Sequence, residues 1–220
     1  YWAGGRVDVA PRSHEDGWNG LLVHRRGEAC VVQGPPGLGA QVARWIAGRS
    51  PDVLIDPAYW AGTLGPRFGR AIGPAWLGYV DAGSFVPPTG PTAALLADEA
   101  PLAALAAACG PTGWEHGGIH AGGGPIYGVF EGERLLAACM IARWPGRIAH
   151  LCVATDPQAR GRGLGQAVVG AAAAAALADG QLTQYRTLAA NAPSVGLAAR
   201  LGFTLYATTV AVRLAAAEEA

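Results

Sequence analysis

The stretch "RIAHLCVATDPQARGRGLGQAVVGAAAAAALADG", residues 147–180, most narrows what this chain can fold into. Its first part, apolar with small and β-branched residues, reads as a strand, and its long alanine run reads as a helix. Between them stand Gly161, Gly163 and Gly165 on alternate positions, with Arg160 and Arg162 interleaved. Glycines let the backbone turn tightly and bring N–H groups to a ligand with no Cβ in the way. The helix start adds unpaired N–H groups and the positive end of its dipole. The two guanidinium groups add forked donors suited to phosphate oxygens. A strand, a glycine turn and a helix N-terminus in succession predict a phosphate or pyrophosphate site. The competing reading is a glycine turn that only opens a core helix.

Two phosphate-binding patterns fail on spacing. G-x-G-x-G is not G-x-G-x-x-G, and no acidic residue ends the next strand, "LTQYRTL", so the dinucleotide fingerprint is absent. No Gly-Lys-Ser/Thr occurs, and the chain has no lysine at all, which also excludes Schiff-base lysine chemistry. A second stretch, "GPPGLGAQ" at 34–41, has its outer glycines at nucleotide-loop spacing. Ala40 and Gln41 stand where Lys and Ser/Thr would be needed, so it predicts a turn opening an ordinary helix.

The 220 residues are 51% apolar and 15% charged, enough for a sizeable core. Formal net charge is zero, which gives no global pull toward nucleic acid or an anionic membrane. The longest apolar run, 167–178, is about half of a membrane span. The start "YWAGGRVD" lacks the regions of a secretory leader. Cys30, Cys109, Cys139 and Cys152 make no CxxC pair and no zinc-ligand spacing. They predict reduced thiols in a cytoplasmic protein and no metal site.

The Pro- and Thr-rich stretch "FVPPTGPTAA", 85–94, predicts a boundary at about 89. Residues 1–88 then form a small α+β region: strands "GLLVHR" and "EACVVQ", a helix ended by Pro51, a short helical stretch, and a strand pair in "AIGPAWLGYVD". Trp45, Trp60 and Trp76 would supply its core. Residues 89–220 read as a helix ended by Gly110, then three strands, "GPIYGVF", "RLLAACMIARW" and "RIAHLCVAT". Their short turns imply an antiparallel meander. The long helix, the strand "LTQYRTLA", the helix "APSVGLAARLG" and a final strand or hairpin follow. The strand–helix–strand crossover inserts one parallel pairing into an otherwise antiparallel sheet, giving an α+β fold.

Arg160-x-x-Gly163-x-Gly165 resembles the [Q/R]-x-x-G-x-[G/A] signature of the GNAT superfamily of N-acetyltransferases. "NAPSVGLAARLGF", Asn191–Phe203, is similar to the family's downstream N-x-x-A…L-G-F segment. The resemblance covers about residues 90–215. It implies a GNAT-like mixed, mostly antiparallel sheet flanked by helices, with acetyl-CoA or another acyl-CoA as donor. The N–H groups of Arg160, Gly161, Arg162, Gly163, Leu164 and Gly165 would then hold the CoA pyrophosphate. Main-chain groups of Val153 and Thr155 would take the pantetheine arm, and Asn191 and Ser194 would contact it.

The implied reaction is direct attack of a primary amine on the thioester, which needs a base or water to take a proton. His150 is the first candidate, as a strand histidine titrating near neutrality. Glu115, in "GWEHGG", is the second, on a loop expected to border the acceptor pocket, with His116 and His120 behind it. Ala198 stands where many family members carry the Tyr that protonates the leaving thiolate. Ser194, Tyr185, Tyr206 or water would have to serve. The acceptor reads as a small amine or a peptide, with no nucleic acid and no membrane partner. The alternative is a CoA-binding regulatory or interaction protein without turnover. Residues 1–88 are expected to serve as a homodimer or partner module, or as a degenerate second acyltransferase-like half.

Overall fold

A computed structural model describes residues 7–11, 19–144 and 146–215. The elements in chain order are β1 (Val7–Pro11), β2 (Gly20–Arg26), β3 (Ala29–Gly34), α1 (Gly39–Ile46), α2 (Pro51–Leu54), α3 (Pro57–Leu64) and β4 (Phe68–Val80). There follow β5 (Ala94–Leu95), α4 (Leu102–Gly117), β6 (Ile126–Glu131), β7 (Arg134–Trp144), β8 (Ile148–Thr155), α5 (Leu164–Ala178), β9 (Leu182–Leu188), α6 (Ala192–Arg200) and β10 (Thr204–Leu214). The fold is α+β, with mostly antiparallel strand pairs. The chain divides into two compact units: Tyr1–Leu77 with Thr187–Ala192 and Leu205–Ala220, and Gly78–Arg186 with Pro193–Thr204.

In the first unit the strand order is β1-β3-β2-β10-β4. β2 and β3 form the hairpin the sequence predicts, turning at Gly27 with φ 57°. β1 lies parallel to β3, and β10 antiparallel to β2 with Val210 opposite Val23. Alternate residues Leu21, Val23, Cys30, Val32, Val210 and Val212 point to one core, closed by Val42 and Ile46 of α1 and by Trp60 of α3. The Trp60 indole N–H donates to Leu54 O at 2.8 Å, so its one polar atom is satisfied inside the core. Ser50 and Asp56 accept N–H groups at the starts of α2 and α3. The strand pair expected in "AIGPAWLGYVD" is instead one continuous strand, β4. Gly73 does not turn the chain there. A Cβ on it would stand 2.7 Å from Thr209 O, so the glycine serves close approach to β10.

In the second unit the order is β9-β8-β7-β6-β5. β6, β7 and β8 form the expected antiparallel meander, and β9 joins β8 in parallel after the α5 crossover. α4 covers one face, where Leu102 and Leu105 meet Ala138, Met140, Cys152 and Ala154. α5 packs on β7 and β8 and buries residues on most of its circumference, among them Val168, Val169, Ala172 and Ala173.

One expectation changes here. The helix expected to stop at Gly110 resumes past a kink at that residue (φ 70°, ψ 166°), because Pro111 fits the first turn of a new helical segment. "GWEHG" is therefore helical, and Gly118 closes α4 in the left-handed region. The stretch around 85–91, where the boundary was expected, is packed. Val86 N–H donates to Leu201 O at 3.1 Å, and a Cβ on Gly170 would come within 2.5 Å of Pro88. Among the described residues no helix is long and apolar enough to cross a membrane.

Candidate active site

β8 ends at Thr155 and the chain enters a short turn. The buried Asp156 carboxylate accepts the Gln158 N–H at 2.8 Å and pairs with Arg134, fixing how the turn begins. Gly161 and Gly163 both take left-handed backbone conformations, φ 78° and 76°. α5 then starts at Leu164 with no side-chain cap. The first N–H groups of α5, those of Leu164 and Gly165 among them, have no acceptor within the helix. Above Gly161 a Cβ would meet nothing within 4 Å, and above Gly163 only Pro91 at 3.9 Å. Gly165 is different: its Cβ would crowd Leu197 at 3.1 Å and Thr155 Oγ1 at 3.3 Å. The first two glycines thus shape an open cradle, and the third lets α5 pack at the end of β8.

The two arginines differ. Arg162 is paired with Glu131 at 2.6 Å, both side chains more than half exposed (51% and 60%). Arg160 is exposed, and its charge acts on Cys109.

Strand pairing opens a second feature. β8 and β9 pair from Ile148↔Leu182 to Leu151↔Tyr185 and no further, although β8 continues to Thr155. The β9-facing edge of Cys152–Thr155 is therefore without a strand partner, and Val153 and Thr155 lie on it. On the α4 side, a Cβ on Gly117 would stand 3.0 Å from Val153 O, so the end of α4 lies directly on this part of β8.

His150 departs from expectation. It stacks on Trp144 with centroids 4.9 Å apart and lies opposite Gln184 in the ladder. Its Nδ1 is buried without a hydrogen-bond partner. Burial first, then the Arg186 guanidinium, push its pKa down to about 4, with Gln184 opposing. It is therefore a neutral imidazole at pH 7 and not a group titrating near neutrality. Glu115 and His116 are exposed on the last turn of α4, and His120 is exposed beyond it. Asn191 precedes α6, with its N–H on Leu188 O at 2.9 Å. Ser194 is brought to Tyr185, oxygen to oxygen 2.8 Å. Of the stand-ins for the missing Tyr, this pair is the one the fold joins. Only the tertiary fold sets α6 against Tyr185. Asp156, ahead of Pro157, caps the short turn that leads into the glycines.

Burial pushes the thiols of Cys30 and Cys152 up to about 11, and raises those of Cys109 and Cys139 as well. None is a thiolate nucleophile at neutral pH.

Residues 98–203 match the Acetyltransferase (GNAT) family. Among solved structures, a protein from the GNAT family from Novosphingobium aromaticivorans is 26% identical with TM-score 0.55, covering 69% of this chain and 67% of that one. A GCN5-related N-acetyltransferase from Kribbella flavida is 20% identical with TM-score 0.54, covering 72% and 65%. An acetyltransferase from the GNAT family from Colwellia psychrerythraea is 16% identical with TM-score 0.52, covering 71% and 61%. The last two show likeness of fold alone. The matched part spans about two thirds of the length of these structures. No curated protein matches the sequence.

Proposed function

Residues 98–203 belong to the GNAT acetyltransferase family, and from that premise we propose that the chain moves an acetyl group from acetyl-CoA to a primary amine of a small molecule or peptide. The observation that carries the proposal is the cradle at 160–165. Two left-handed glycines with open space at their Cβ positions precede the N-terminus of α5, beside a stretch of β8 that runs past its pairing with β9. That arrangement suits a pyrophosphate followed by an extended arm with amide groups of its own. In this reading residues 160–165 hold the pyrophosphate, Arg160 lends charge, and Val153 and Thr155 hydrogen-bond the arm through their main chain. Acetyl-CoA supplies an activated carbonyl, and a strand N–H polarises it.

The transfer is direct, because the raised cysteine thiols favour no acyl-enzyme. The amine must lose a proton. With a pKa of about 4, His150 holds a proton poorly at neutral pH. Glu115, two residues from the Gly117 contact with Val153 O, takes its place as first candidate. The four unbridged cysteines support a cytoplasmic setting.

Native mass spectrometry of the purified protein, with calorimetric titration of acetyl-CoA and CoA, tests the reading. Bound CoA or acyl-CoA is expected, and no binding by either method overturns it. Gly163→Glu places a side chain and a negative charge in the cradle and is expected to abolish binding while the fold persists.

A second reading has its own observation. Residue 198 of α6 is an alanine packed into the core, so this position offers no hydroxyl, as suits a CoA-binding regulatory protein. Tight CoA binding with no acetylation across a panel of polyamines, amino acids, aminoglycosides and peptides would favour it.

A further inference from the structure

The hairpin joining β6 to β7 ends against the glycine turn. Glu131 and Arg134 face each other on its last rung, around Gly132 with φ 61°. Each holds an oppositely charged residue of the stretch 156–162. Arg134 pairs with Asp156 where the chain leaves β8, and Glu131 pairs with Arg162 between the two left-handed glycines. The pairs differ in burial. Both members of the second are more than half exposed, whereas the Asp156 side chain is 2% exposed and that of Arg134 54%. Asp156 is also fixed through its main chain. Its N–H donates to Leu136 O at 2.8 Å, and its carbonyl accepts the Ala159 N–H at 2.9 Å. With the Gln158 N–H on its carboxylate, it sets the course of the turn that delivers the chain to Arg160.

That arrangement carries an electrostatic cost. A buried carboxylate at the entrance to an anion site repels the anion, and burial weakens the screening by water. The field of Asp156 extends across this end of β8. The Cys109 thiol, which donates to Thr155 O at 3.7 Å, feels the charges of both Arg160 and Asp156. Arg134 is the cation that meets the carboxylate directly. We propose that Arg134 is a positioning residue of the anion site: it cancels the charge of Asp156, so that the turn Asp156 shapes can receive a pyrophosphate. The proposal rests on the acetyl-CoA reading above. No bond or proton changes hands, so the effect falls on affinity for the charged donor.

Calorimetric titration of CoA at low and high ionic strength tests this in wild type, Arg134→Gln, Arg134→Lys, Asp156→Asn and the double variant Arg134→Gln/Asp156→Asn. Arg134→Gln leaves the carboxylate uncompensated and is expected to raise the dissociation constant about tenfold at low salt. At high salt the deficit is expected to shrink. Arg134→Lys keeps the charge and is expected to stay near wild type. Asparagine at 156 still accepts the Gln158 N–H, so the double variant is expected to recover most of the lost affinity. Asp156→Asn alone leaves a cation beside the cradle and is expected to bind CoA at least as tightly as wild type. It keeps the assignment falsifiable even where Arg134→Gln does not fold. Weaker binding by Asp156→Asn, a double variant as weak as Arg134→Gln, or wild-type affinity in folded Arg134→Gln overturns the assignment. A purely structural role for the ion pair would leave the double variant impaired and the deficit insensitive to salt. Absence of CoA binding to wild type overturns the acetyl-CoA reading itself, and the assignment with it.

Discussion

The burial of His150 against Trp144 bears on stability in acid. In the unfolded chain an imidazole takes up a proton near pH 6.5; in the folded protein His150 does so only near 4. Between those values the unfolded state binds one more proton, so stability is fully present above about 6.5 and falls as pH drops toward 4. The upper limit of this loss is about 3 kcal/mol. Denaturant melts of His150→Gln and wild type at pH 7 and pH 4.5 check it: the variant is expected to lose clearly less stability on acidification. Equal losses would show that the folded imidazole protonates freely. The arginines separate in the same way. The Arg162–Glu131 pair is exposed on both sides, so breaking it costs about 0–1 kcal/mol. Arg162→Ala is expected to leave thermal stability nearly unchanged. Arg160→Ala is expected to weaken acetyl-CoA binding more than Arg162→Ala does, by calorimetry, because Arg162 must first give up Glu131.

Among the elements, α4 and β8 are set by glycines. A Cβ at Gly117 would press on Val153 O at 3.0 Å and on the Ala154 Cβ at 3.3 Å. Neither a main-chain oxygen nor a methyl inside a sheet yields easily. Gly117→Val is therefore expected to destabilise by about 1–3 kcal/mol and to raise the dissociation constant for acetyl-CoA, since it displaces β8 where the arm would lie. Chemical denaturation and calorimetry on one preparation check both effects, and an unchanged affinity would place the arm elsewhere. This contact was not legible in the sequence, where "WEHGG" read as a loop after Gly110. The helix resumes there because Pro111 suits a first turn, and its direction is fixed by packing. What was legible is local. The α5 cradle follows from three glycines beside an apolar run, the meander from short turns, and the crossover from strand–helix–strand order. The burial of His150 depends on partners from β7 and β9, Trp144 and Gln184, which no spacing along β8 announces.

At the scale of the whole molecule, the chain's order and its units interleave. Residues 1–88 read as a separable region because composition changes at the Pro-rich stretch. Yet β10, from Leu205 on, belongs to the first unit and pairs antiparallel with β2 from Thr208↔Arg25 to Arg213↔Gly20. Val210 and Val212 of β10 are fully buried in the core formed with Leu21 and Val23. Removing the N-terminal residues would leave β10 with a bare apolar face and an unpaired edge, the pattern that invites aggregation. The first unit therefore takes in β10 as well as the N-terminal strands, so light scattering of the full chain is the fair measure of a homodimer. Residues 89–220 expressed alone are expected to aggregate or to bind ANS strongly. Residues 1–88 and 89–220 co-expressed as separate chains, divided inside the segment between β4 and β5, are expected to co-purify as a folded pair through β2 and β10. A monodisperse, cooperatively unfolding 89–220 fragment would show instead that β10 finds its place without β2.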